Sequence, residues 1–182
     1  MSNLAIIYKS KYGTTKKYAQ WIAQALDAVL LEASSVNPSQ LTAYDLVVYG
    51  GGLYAGGIDG VNLVTKNPCK QLIVFTVGLA DPQTTDYSPI LTKNFSKEML
   101  SKIKIFHLRG GMDYKKLRLI HKGMMGMVRK SALKIEQSQR SEEDKLFLET
   151  YGTKLDFLDK ATIAPVVEYI NGLCSHSSPK TP

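Results

Sequence analysis

Short, continuous apolar runs alternate along this chain with longer stretches of helical period. Residues 4–9 are an apolar run of buried-strand length. Residues 14–30 read as a helix, with Tyr18, Ile22, Ala25, Leu26 and Val29 on one stripe. A short second strand is expected near 30–33, and 44–50 form a strong strand that Gly50, Gly51 and Gly52 should end. Residues 58–66 read as helix and 71–77 as strand. A helix over 88–102 carries Pro89 in its first turn, and a fifth strand over 103–108 closes at Gly110 and Gly111. From Tyr114 onward the chain reads as a basic helix, and 161–173 as a closing amphipathic helix. Wholly apolar strands alternating with helices belong to a parallel sheet covered on both faces. The expected class is α/β: a doubly wound five-stranded parallel sheet of order 2-1-3-4-5 with helices on both faces. Such sheets bind ligands at the carboxyl ends of their strands, beside the switch point between strands 1 and 3.

An apolar share of 44% over 182 residues suits one domain, expected over 1–174, followed by a polar, disordered tail at 175–182. No run approaches the roughly 18 apolar residues that span a bilayer. Met1-Ser2-Asn3 leads into the first strand without a basic n-region or a cleavage site, so a cytoplasmic protein is expected. Cys69 and Cys174 lie outside any CxxC or metal-ligand spacing and are expected to be reduced thiols, with no metal site. Charge changes the picture more. The net charge is +7, and Lys115, Lys116, Arg118, Lys122, Arg129, Lys130 and Lys134 fall in one stretch without Asp or Glu. The rest of the chain is balanced, so the basic character belongs to a single segment.

The loop after strand 1 reads Ser10-Lys11-Tyr12-Gly13-Thr14-Thr15 and runs straight into the first helix. A helix N-terminus offers free N–H groups and a positive dipole end to a phosphate; the alternative is an ordinary turn with Thr14 as helix cap. The loop after strand 3 reads Gly50-Gly51-Gly52-Leu53-Tyr54-Ala55-Gly56-Gly57, in which the backbone can approach a ring closely and Tyr54 can stack; a glycine-rich turn with an exposed tyrosine is the alternative. Its formal dinucleotide match, Gly50-x-Gly52-x-x-Ala55, is weak, because no acidic residue ends a further strand about twenty residues on. After strand 4 come Thr76-Val77-Gly78-Leu79-Ala80, then a turn at Asp81-Pro82 before Tyr87.

Ser10-x-Tyr12-Gly13-Thr14-Thr15 resembles the phosphate signature of flavodoxins, [ST]-x-T-G-x-T, with Tyr12 in place of the usual threonine. The resemblance implies a flavodoxin-like fold with FMN as cofactor. It implies FMN contacts from Ser10, Lys11, Tyr12, Gly13, Thr14 and Thr15. Gly51, Gly52, Leu53, Tyr54, Ala55 and Gly56 would add contacts from the second loop, and Thr76, Val77, Gly78, Leu79, Ala80 and Tyr87 from the third. Two further stretches, residues 76–87 and Gly110-Gly111-Met112-Asp113-Tyr114, are similar to the menaquinone-dependent protoporphyrinogen dehydrogenase family. That resemblance implies a basic amphipathic insertion, here 112–137, although the family's aromatic residues are replaced by Leu117, Leu119, Ile120, Gly123 and Gly126.

Read from its own residues, this segment places Leu117, Ile120, Met124, Met127 and Val128 on one helical face. A basic amphipathic helix suits an anionic membrane surface or an acidic partner; packing on the core by that stripe is the alternative. Few aromatics interleave the charges, so nucleic acid is not an expected partner. The expected function is an FMN-dependent oxidoreductase similar to protoporphyrinogen dehydrogenase, which oxidises a small reduced substrate or passes electrons to a quinone-like acceptor. A flavodoxin-type electron carrier and a basic, non-enzymatic binding module remain the alternatives. No triad or carboxylate pair marks a catalytic acid or base.

Overall fold

The computed structural model describes residues 3–117 and 119–176. Their contacts divide the chain into two compact units, one running to Gly110 and resuming at Leu158, the other Gly111–Phe157.

In the first unit, β1 (Leu4–Lys9) leads into α1 (Thr14–Leu26) and β2 (Val29–Glu32). A 3₁₀ segment, Pro38–Ala43, comes before β3 (Leu46–Tyr54). β4 (Gly57–Ile58), α2 (Asn62–Thr65) and β5 (Leu72–Gly78) follow. α3 (Ser88–Asn94), α4 (Lys97–Leu100) and β6 (Lys104–Arg109) complete the run. The parallel sheet has the order β2-β1-β3-β5-β6, with the short β4 folded back antiparallel on β3. Setting β4 aside, this is the doubly wound 2-1-3-4-5 order. Every second residue of the central strands enters one of two cores. Ile6, Val48 and Phe75 meet Tyr18 and Ile22 of α1 on one face. Ala5, Ile7, Val47 and Val74 meet Leu41, Val64 and Phe95 on the other.

Several boundaries depart from expectation for local reasons. α1 stops at Leu26 because Asp27 turns left-handed (φ 48°), which frees Val29 and Leu30 for β2. The glycine run does not end β3: Gly50, Gly51 and Gly52 pair with Phe75, Thr76 and Val77, and the ladder continues. The missing side chains permit this, since a methyl group on Gly50 would lie 2.1 Å from the Phe75 ring. Ile58 therefore belongs to the hairpin return, and the helix expected over 58–66 shrinks to α2. The helix expected over 88–102 breaks at Phe95, which turns extended to bury its ring, and Ser96 caps α4 by accepting from the Met99 amide. The chain closes with α7 (Ala164–His176), led in by a 3₁₀ turn; α7 takes in Ser175 and His176 of the expected tail. Residues 177–182 and Arg118 lie outside the described residues.

The second unit is wider than the insertion expected over 112–137. β7 (Gly111–Asp113) pairs antiparallel with β8 (Lys154–Asp156). Between them lie α5 (Leu119–Lys134) and α6 (Glu142–Thr150). The Arg140 guanidinium donates to the Ala132 and Ile135 carbonyls at 3.2 and 3.0 Å and so caps the end of α5. Ser141 and Asp144 form a capping box that starts α6. Tyr114, Phe147 and Tyr151 form an aromatic cluster, with Arg129 over the Tyr151 ring. The apolar stripe expected on the basic segment does not pack as one face. Leu117 is buried ahead of α5, whereas Met127 and Val128 on α5 are exposed, as are Leu119 and Leu133. The Ile120 side chain lies outside the described residues.

Candidate functional site

The first unit brings the loops after β1, β3 and β5 together at the carboxyl edge of the sheet. In the first loop Gly13 takes a left-handed conformation (φ 92°), open to a residue without Cβ. Ser10 Oγ accepts from the Gly13 amide at 3.0 Å and sets the turn. Gly13, not Thr14, is the residue that caps α1, and among the described residues no side chain caps this helix. Its ladder begins with the Lys17 amide donating to the Gly13 carbonyl. Among the described residues, no protein group accepts from the amides of Thr14, Thr15 and Lys16. Three donors and a positive dipole end thus converge where an anion can sit. A methyl group on Gly13 would meet nothing within 4 Å, so the space above the loop is open. Thr14 and Thr15 border the neighbouring strands: Thr14 Oγ1 is 3.5 Å from the Cβ position of Gly110, and Thr15 Oγ1 is 3.4 Å from that of Gly52.

The second loop is a tight hairpin. Leu53 pairs with Ile58 and Tyr54 with Gly57, leaving Ala55 and Gly56 as a two-residue turn, both with positive φ. α3 holds its tip, with Lys93 donating to the Ala55 carbonyl and Asn94 to that of Gly56. Gly51 is roofed by Ile58, whose Cγ2 is 2.4 Å from the Gly51 Cβ position. Lys11 bridges from the first loop, its Nζ 4.1 Å above the Tyr54 ring and 3.5 Å from Asp59 Oδ1. Among the described residues, nothing hydrogen-bonds the buried Asp59 Oδ2.

The third loop winds about Asp81. The Thr84 and Thr85 amides donate to the Asp81 carbonyl, and the Gln83 amide to the Asp81 carboxylate. Arg109, at the end of β6, donates from Nε to the Leu79 carbonyl at 3.0 Å and lies 3.6 Å from the Asp81 carboxylate. Val77 is buried, and Leu53 lies against Gly78. Thr76 is fully buried, its Oγ1 2.6 Å from His107 Nδ1. The Tyr87 ring stacks on that imidazole, 3.6 Å between centroids and 4° between planes. Tyr87 therefore lies against protein as a back wall under the loop. Sequence reasoning missed His107 and Arg109. Both act across the β5–β6 register, in which Thr76 pairs with His107 and Gly78 with Arg109. Among the described residues, no group of three or more His, Cys, Asp or Glu is placed to hold a metal ion.

Burial holds the His107 pKa below its ordinary value, because it penalises the charged imidazole. Just below pH 6.5 the unfolded chain then binds a proton that the native protein does not. Stability rises with pH through that window and is lost as pH falls into it. Between pH 7.5 and 5.5 the native protein should lose more stability in urea unfolding than a His107→Asn variant, by at most about 1.4 kcal/mol per pH unit. Equal losses would remove His107 as the cause.

The family profile of the flavodoxin domain matches residues 5–139. An uncharacterised protein of Methanocaldococcus jannaschii is 30% identical over 105 residues, which cover 54% of this chain and 64% of the relative, so the chain spans less than two thirds of that protein. Among solved structures, oxidised flavodoxin 2 of Bacillus cereus is similar at 19% identity and a TM-score of 0.44, covering 59% of this chain and 84% of its own. Two-electron reduced flavodoxin of Megasphaera elsdenii is similar at 12% identity and a TM-score of 0.45, covering 58% and 84%.

Proposed function

The chain belongs to the flavodoxin domain family, and on that premise we propose that it binds FMN at the carboxyl edge of β1, β3 and β5 and serves as an FMN-dependent oxidoreductase. The observation that carries this reading is the uncapped start of α1. Three convergent amides without a protein acceptor, beside open space over a left-handed glycine, suit a phosphate dianion. Bound FMN supplies the electron and hydride chemistry; the protein supplies binding, orientation and electrostatics. The Thr14, Thr15 and Lys16 amides hold the phosphate. Lys11 keeps the Tyr54 hairpin against the phosphate loop, and Arg109 fixes the third loop through the Leu79 carbonyl and the Asp81 carboxylate.

Titration of the apoprotein should quench FMN fluorescence. FMN should bind more tightly than riboflavin, which lacks the phosphate. Gly13→Val forces a β-branched residue into the left-handed region and turns the amides away; it should weaken FMN at least tenfold and leave riboflavin unchanged. Equal affinity for the two ligands in the native protein would sink the phosphate assignment.

The finer reading, an enzyme similar to protoporphyrinogen dehydrogenase, rests on residues 76–87 and 110–114 and on a chain whose net charge is +7. Small carriers steered to basic reductases need the opposite sign. The basic α5 is read as the contact surface for an anionic membrane or an acidic partner, because exposed Leu119, Met127 and Leu133 lie among its lysines. No helix of the described residues is long and apolar enough to cross a membrane. The protein should sediment with vesicles containing anionic lipid and not with neutral ones. Lys130→Glu with Lys134→Glu should release it, and sedimentation unchanged by that charge reversal would overturn the assignment.

A further inference from the structure

A groove of about 520 Å³ opens at the other end of the sheet, where β3, β5 and β6 begin. That volume lies within the range of small-molecule sites. Leu46, Val64 and Ile73 give it a buried apolar floor, and Met99 and Ile103 extend this wall where α4 passes into β6. Its lining includes four lysines, Lys66, Lys70, Lys102 and Lys104, and no aspartate or glutamate. Two of them are neutralised from outside the groove, Lys70 by Asp45 at 2.9 Å and Lys102 by Glu98 at 2.6 Å. Among the described residues, Lys66 and Lys104 have no carboxylate partner. The Lys104 ammonium instead lies 5.7 Å from the Phe106 ring centroid and 5.8 Å from that of Tyr169.

We propose that this groove is a second ligand site, separate from the FMN edge, which takes an amphiphilic acid: a carboxylate at Lys66 and Lys104 and an acyl or aryl body along the apolar floor. An apolar ligand alone would leave two cations at the rim without an anionic partner. A small inorganic anion would leave the apolar wall in water. Only a molecule with both parts satisfies floor and rim together.

Cys69 reports on occupancy. It is a half-buried free thiol in the wall, which burial holds above its ordinary pKa, so it alkylates slowly and in proportion to access. The probe is dodecanoate, and the readout is maleimide alkylation of Cys69 by mass spectrometry in the full chain with Cys174→Ser. Dodecanoate should slow alkylation at least fivefold, saturably, and equally with FMN present or absent. Dodecanol and dodecyltrimethylammonium should not. Lys66→Glu with Lys104→Glu changes two exposed side chains and should abolish the protection without altering the thermal unfolding midpoint. The site is overturned if dodecanoate gives no saturable slowing, if dodecanol matches it, or if protection survives both charge reversals. It is overturned too if ending the chain at His176 accelerates alkylation while dodecanoate leaves the full chain unchanged, because the chain's own last residues would then fill the groove. FMN titration runs independently, so either site can fail alone.

Discussion

Alanine at position 50 should destabilise the protein by about 3 kcal/mol, at the upper end of what overpacking a core produces. A Cβ there would lie 2.1 Å from Phe75 Cζ and 2.6 Å from both Cε atoms. The ring has nowhere to go: Phe75 is fully buried and packs in the core cluster with Tyr18, Ile22 and Val48. Gly50 is also paired directly with Phe75 in the ladder, so the backbone cannot retreat without breaking β3 from β5. Urea unfolding with an unchanged slope would measure the loss. Phe75→Leu in the same chain should recover part of it, giving the non-additivity expected of residues in contact. If Gly50→Ala costs under about 1 kcal/mol, the close pairing of β3 and β5 at this point is wrong.

The second large effect should come from one hydroxyl. Tyr18 is fully buried on α1, and its OH donates to the Arg109 carbonyl at 2.7 Å. The same oxygen accepts from the Asp159 amide at 3.2 Å. Tyr18→Phe keeps the ring and its packing, including the edge contact with Trp21, and takes the hydroxyl away from the Arg109 carbonyl and the Asp159 amide. Each such group costs about 1–3 kcal/mol when buried, and both are only part-buried, so a total of about 2–3 kcal/mol is expected. Hydrogen exchange gives the more specific readout, since the Asp159 amide should lose protection while the core of β1 keeps it. Unchanged protection at Asp159 would show that the hydroxyl is not its partner.

Period alone was enough to locate β1 and β5 and the start of α1, because those stretches are apolar throughout or carry a clean helical stripe. The turn into α1 was equally legible: Ser10, Gly13 and the helix start are contiguous, and contiguous chemistry survives in a string of letters. The misreadings share one cause, which is that their determinants are distant. Glycines at 50–52 look like an ending until the strand opposite is known to place Phe75 there. Phe95 continues a helical stripe on paper, yet burying its ring requires an extended backbone. His107 and Arg109 support the third loop only through the β5–β6 register. α6 is a different kind of miss. Its capping signal, Ser141 followed at the third position by Asp144, is local and was available to be read.

The Tyr18 hydroxyl also says something about how such a chain can be assembled. Arg109 is the residue before Gly110, where the first unit breaks off, and Asp159 follows Leu158, where it resumes. Both are hydrogen-bonded to one oxygen, so the two ends are no farther apart than those two bonds laid end to end. Chain inserted between points that close pulls on neither of them, because the host has already fixed its own ends from within. The sheet therefore sees its guest as a parenthesis. What stands inside can lengthen, shorten or be exchanged for another module while the sentence around it still reads, which makes this junction the place where one flavin scaffold can acquire a new surface without renegotiating its core.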